Sequence, residues 1–137
     1  MRTIYVILAL LLFAIPVGIA KADINHHSDM IDALAAGNFE VAVAVITKLP
    51  VGELRQRLVE TALFRLTKEQ AEDLLQKLGY SVAEQPVDAE IKKISASIEG
   101  ENFSFYSSKD DGIILIIKYG EEDGVTRPFV VVGVTRE

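Results

Sequence analysis

The chain is 137 residues long, with 14 Lys and Arg against 20 Asp and Glu and a formal charge of -6. That length supports one modest domain with its own core, and the acidic balance repels phosphate backbones, which argues against nucleic acid as a partner. There is no cysteine, so disulfides, thiol catalysis, zinc–thiolate sites and a lipid-modified N-terminal cysteine are excluded.

Residues 1–22 read as an export signal. Arg2 precedes an apolar run from Ile4 to Ile15, Pro16 and Gly18 break it, and Ala20-Lys21-Ala22 supplies the small-x-small pattern of a cleavage site. The run is shorter than the ~20 apolar residues a spanning helix requires. A cleaved signal is therefore expected rather than an anchor, with the mature chain starting at Asp23. Cleavage removes Arg2 and Lys21 but no acidic residue, so the product is more acidic still. Small secreted animal domains usually depend on disulfides, so an exported cysteine-free domain points to a bacterial periplasm, with secretion as the alternative.

Residues 23–80 carry helical punctuation. Ser28 is expected to cap a short helix bearing Met30, Ile31 and Leu34, with Gly37 ending it and Asn38 capping the next. Phe39 to Lys48 is ambiguous: Val41, Val43 and Val45 alternate like a strand, while Phe39, Val43 and Ile46 form a helical stripe. The flanking caps and the alanines at 42 and 44 favour a helix. Pro50 stops it. The next helix places Leu54, Leu58, Ala62 and Leu66 on one stripe, with Glu53, Arg55, Gln56, Arg57 and Glu60 mostly outside it. Thr67-Lys68-Glu69-Gln70 has the form of a capping box, and Gly79-Tyr80 that of a Schellman ending on Leu75.

A shift of 29 positions superposes Leu34, Ala42, Val45, Ile46, Lys48 and Leu49 on Leu63, Ala71, Leu74, Leu75, Lys77 and Leu78. The segment Ala36-Gly37-Asn38-Phe39-Glu40-x-Ala42 resembles the hairpin turn of tetratricopeptide-type repeats. The likeness covers that one turn, the family's period is ~34 residues with at least three repeats, and no function is carried over. Two helical hairpins packed on each other are expected instead.

Residues 81–90, with Pro86, read as a linker, and residues 91–137 as sheet, the whole of 23–137 forming one folded unit. Ile94, Ala96 and Ile98 alternate with Ser95, Ser97 and Glu99 as a first strand, and Gly100-Glu101 turns into Phe103-Ser104-Phe105-Tyr106. Ser108 to Gly112 is a second turn, Ile113 to Tyr119 a third strand, Gly120 to Thr126 an acidic loop, and Phe129 to Val134 a last strand after Pro128. The expected fold is α+β: an N-terminal helical layer followed by a four-stranded antiparallel meander.

No motif points to catalysis. His26 and His27 sit near the mature N-terminus, where His26 would be fourth and not third, so the copper- or nickel-binding arrangement of an amino terminus is lost and a frayed leader is expected. Asp110-Asp111 and Glu121-Glu122-Asp123 lack the spacing of calcium loops and end in Asp-Gly, a turn signal. No Gly-x-Ser-x-Gly elbow or phosphate-binding glycine loop is present. Asn102-Phe103-Ser104 matches a glycosylation acceptor, relevant only to a eukaryotic secretory route. No cofactor and no metal are expected.

The informative surface is in the sheet. Ile113, Leu115 and Ile117 point one way and Ile114 and Ile116 the other, and Val130, Val132 and Val134 oppose Phe129 and Val131. Both faces therefore need cover, from the chain's own helices, a second copy, an apolar ligand or a protein partner. The expectation is an exported, non-enzymatic interaction domain of adaptor, inhibitor or immunity type. It would meet a partner or a second copy through Ile114, Ile116, Phe129 and Val131. The alternatives are a carrier of a small apolar ligand or lipid held between helices and sheet and, further off, a hydrolase with a carboxylate site.

Overall fold

The computed structural model describes residues 21–85, 88–98 and 102–135. The apolar run read as an export signal, Pro86 of the segment read as a linker, the Gly100-Glu101 turn and Arg136 lie outside the described residues. Among the described residues, five helices accompany a four-stranded antiparallel sheet, the α+β arrangement expected. None of these helices is long and apolar enough to cross a membrane.

Helix α1 (Lys21–Ala35) turns into α2 (Phe39–Thr47) through Gly37, whose φ of 77° lies in the left-handed region. The Gly37 N–H donates to the Leu34 carbonyl at 3.1 Å and the Asn38 N–H to the Ala33 carbonyl at 2.8 Å, the paired bonds of a Schellman ending. Ser28 does not start this helix but lies inside it, and His26 and His27 are helical rather than a frayed leader. Asn38 occupies the N-cap position of α2 without a side-chain bond to it. Phe39–Thr47 is helical because Ala42 and Ile46, four apart, are its buried positions, while Val41 of the rival alternation is half exposed.

Helices α3 (Glu53–Leu63) and α4 (Lys68–Lys77) follow. The capping box is present in full: the Gln70 N–H donates to Thr67 Oγ1 at 3.2 Å, and the Thr67 N–H donates to Gln70 Oε1 at 3.1 Å. Gly79, at φ 90°, closes α4 with the second Schellman pair, Gly79 N–H to Gln76 and Tyr80 N–H to Leu75. Ala42 and Ala71, which the 29-residue shift superposes, are both fully buried, and α2 lies against α4. Leu58 and Ala62 are buried on the stripe of α3, and Leu66 is buried in the turn beyond its end. Gln56 and Glu60 are buried as well, against expectation. The reason is position: α3 packs on α1 and α2 and also on the last strand, so it has more than one buried face.

The sheet runs in the order β1-β2-β3-β4, all neighbours antiparallel: β1 (Ser81–Ala83), β2 (Phe103–Ser107), β3 (Ile113–Glu122) and β4 (Val125–Thr135). The strand count matches the reading, but its first member does not. Residues 81–83, read as linker, pair with β2, whereas Ile94 to Ser97, read as a strand, belong to helix α5 (Ala89–Ser97). Asp88 decides this locally, accepting the Glu90 and Ile91 N–H groups, each at 3.0 Å, as an N-cap. Ile91, Ile94 and Ile98 then share a face at helical spacing, and Ile91 is fully buried.

The sheet consequently has a core on each side. Met30, Ile46, Leu63, Leu74 and Leu75 pack against Leu115, Ile117 and Val131 on one face. On the other, Ile91 packs with Ile114, Ile116, Val132 and Val134. Each such side chain contributes about 1.5–3 kcal/mol when fully buried, which is why β3 and β4 are apolar in every position from 113 to 117 and from 129 to 132.

Candidate functional site

Strand β2 reaches along β3 only as far as the Phe103–Lys118 pair. Beyond it, Tyr119 to Glu122 pair with β4 alone, from Pro128 to Val125. The β3–β4 hairpin thus outruns the four-stranded region as a two-stranded ribbon, about 13 Å long at ~3.3 Å per residue. Asp123 and Gly124, at φ 52° and 77°, form its tip; consecutive positive φ values are what a two-residue type I′ turn demands. Glu121, Glu122 and Asp123 are exposed there, as turn and solvated charge.

The pairing slips between Lys118 and Tyr119, whose partners are Val130 and Pro128. Phe129 is the extra residue of this β-bulge, and a bulge re-aims a side chain and bends the strand. Its ring lies over Gly120, with Cδ2 3.2 Å from where a Cβ on that glycine would stand. Gly120 shares the alternation of Ile114, Ile116 and Lys118, so the ring lies on the α5 side of the sheet. Half-buried Phe103, Phe105 and Val130 continue the apolar surface from there to the Ile114–Ile116 core. Pro128 is tolerated because β4 is an edge strand.

Of the four residues nominated from sequence, Phe129 is 59% exposed and the others are sealed. Ile114 and Ile116 lie in the core roofed by α5, and Val131 faces the helical layer. Zero exposure at Val131 and Val132 includes their backbone, so the edge of β4 is closed to solvent at those two positions. The face read as meeting a partner or a second copy through Ile114 and Ile116 is covered instead by α5, whose residues 94–97 read from sequence as a strand.

A buried polar cluster, missed in the sequence, joins α3 to the sheet. Gln56 and Glu60 are 1% and 2% exposed and occupy the space above Gly133 of β4, where a Cβ would meet both side chains. Both Gln56 amide atoms and Glu60 Oε1 lack a hydrogen-bond partner among the described residues. Burial pushes the Glu60 carboxyl up to about 8, with the adjacent Gln56 amide and the Arg57 charge offsetting part of the effect. Nearby, Arg55 Nη1 lies 3.6 Å from Asp111 Oδ1, and the Tyr80 hydroxyl donates to Asp111 Oδ2 at 3.1 Å. Burial and the Asp111 charge raise the Tyr80 phenol above its ordinary range. A glycine in the last strand is the one sequence signal that could have located the pair.

At the root of the ribbon the Tyr106 hydroxyl donates to Glu72 at 3.0 Å and meets the Tyr119 hydroxyl at 3.2 Å, while Lys68 Nζ sits 5.4 Å from the Tyr119 ring centre. Burial is the main cause raising both phenols. This chain of contacts fixes Tyr119 to the helical layer and leaves Phe129 presented on the opposite side. Among the described residues no group of three or more His, Asp or Glu side chains is arranged to hold a metal ion. Comparison with protein families, with curated proteins and with solved structures gives no match.

Proposed function

We propose that this is an exported, non-enzymatic interaction domain that grips a protein partner with the β3–β4 ribbon, using Phe129 as its anchor. The observation that carries this reading is the bulge: it turns a large aromatic ring out to 59% exposure on an edge strand, between buried Pro128 and half-buried Val130. A ring in that setting supplies contact area at low conformational cost, and aromatic side chains dominate the energetics of interfaces. The charge–apolar–small order of residues 2–22 supports export, and a periplasmic location accords with a cysteine-free fold. The buried carboxyl offers little to the hydrolase reading, because Glu60 is sealed between α3 and β4, out of reach of a substrate.

Capture from the native envelope with the mature chain and with its Phe129→Ser variant tests the proposal, alongside light scattering of the purified protein. A protein retained by the wild type and lost by the variant supports it. Equal retention by both, or a purified product that carries bound lipid and retains no protein, would overturn it, the latter in favour of carriage.

A further inference from the structure

We propose that the Gln56–Glu60 pair seated on Gly133 is a proton-operated latch between the helical layer and the sheet. With the Glu60 carboxyl protonated, α3 is closed on β4; loss of the proton releases it.

The geometry makes the contact sensitive to one charge. Gln56 and Glu60 stand four apart on α3 and so project together. The strand beneath them offers at Gly133 only backbone, and the close approach exists because that residue has no Cβ. A neutral carboxyl fits such a sealed place, whereas a carboxylate deprived of water needs a cation or several donors. Neither is at hand. The Arg57 charge acts on Glu60, but that guanidinium is part exposed and bonded to Glu53 at 2.6 Å. Arg55 is directed to Asp111, which also takes the Tyr80 hydroxyl. The remaining elements against α3 bring His26, His27, Asp29 and Asp32 on α1 and Glu40 on α2, the last bonded to Lys77. On β4 the described charged side chain is Arg127, which lies in the ribbon opposite Gly120.

The sign follows from the raised carboxyl. Burial holds the folded-state value at about 8, above the ordinary 4.5, so the folded chain keeps a proton that the unfolded chain has lost. The contribution is complete below the ordinary carboxyl range and is lost as pH rises from there through about 8. Within that window the docking equilibrium weakens by up to about tenfold per pH unit. The apolar layer of α3 is what an open latch would uncover.

The full chain is used for the test. Backbone amide exchange, corrected for the intrinsic effect of pH, should show Leu58 to Ala62 losing protection progressively as pH rises from about 4.5 through about 8 and levelling off above it, before Ile114 to Ile117 lose any. Glu60→Gln, which is neutral at every pH, should keep α3 protected throughout that range. Simultaneous loss in helix and strand, or the same pH response in Glu60→Gln, overturns the latch. Should the variant fail to fold, carbon-13 titration of the wild-type Glu60 carboxyl decides: a midpoint near neutrality or above supports the latch, and an ordinary carboxylate midpoint overturns it.

Discussion

The Tyr80 hydroxyl reaches Asp111 at 3.1 Å, tying the residue that closes the last helix of the N-terminal layer to the turn between β2 and β3. Asp111 is otherwise held by Arg55 at 3.6 Å and by its own N–H, which donates to Ser108 Oγ at 3.3 Å. One hydroxyl therefore couples a helix ending, a strand turn and α3. Removing it leaves a sealed carboxylate with one donor fewer, and such losses cost about 1–3 kcal/mol. Tyr80→Phe should lower the urea midpoint accordingly while keeping the Schellman ending, which uses only backbone atoms. A midpoint unchanged from wild type would mean the hydroxyl is not bonded in solution.

Gly133 should resist enlargement. A Cβ there would lie 2.6 Å from Glu60 Oε1 and would collide with Gln56 Nε2. Overpacking of this kind costs about 1–3 kcal/mol, so Gly133→Ala should destabilise by that amount in chemical denaturation. Gln56→Ala in the same chain should recover part of the loss, since it removes the closest atom. Additive losses in the double variant would show that the two sites do not touch.

Thr67 is a local test of helix capping. Its side chain and that of Gln70 exchange bonds with each other's backbone at the start of α4. Thr67→Ala should cost on the order of 1 kcal/mol, and Thr67→Ser should nearly preserve the midpoint because the hydroxyl remains. Equal losses in the two variants would place the stabilisation in the threonine methyl group instead.

What was legible in the sequence was local chemistry. The Thr67 box, both Schellman glycines and the Asp-Gly turns each depend on residues within a few positions, and all form as read. Helix α5 was misread because Ile94, Ala96 and Ile98 satisfy a period of two, while Ile91, Ile94 and Ile98 satisfy a helical one. What separates them is the Asp88 cap and the open face of β3 and β4 waiting for a helix, and the second is a tertiary fact. With α5 read as a strand, the cover of Ile114 and Ile116 was left open to a partner. Gln56 and Glu60 looked like a solvated face because their burial depends on Gly133, in the last strand of the sheet. Phe129 was legible as part of an apolar strand. Its exposure was not, because a bulge shifts alternation by one residue and leaves little trace in composition.

Phe129 and Ile116 were nominated together, and the fold separates them, so they should respond in opposite ways to a polar substitution. Ile116 is wholly buried beneath α5, and Ile116→Glu places an unpaired carboxyl in a dry core, one of the few changes that reach the exceptional losses of about 4 kcal/mol or more. The far-ultraviolet circular dichroism and the cooperative melt should both collapse. Phe129→Ser acts on a ring that is mostly in water and rests on Gly120. It forfeits only that contact and should shift stability by roughly 0.2–1 kcal/mol, the scale of a single cross-strand pair. Its effect should fall on binding instead. Stability losses of similar size in the two variants would show that the bulge does not turn the ring outward, and the interaction surface would lose its anchor.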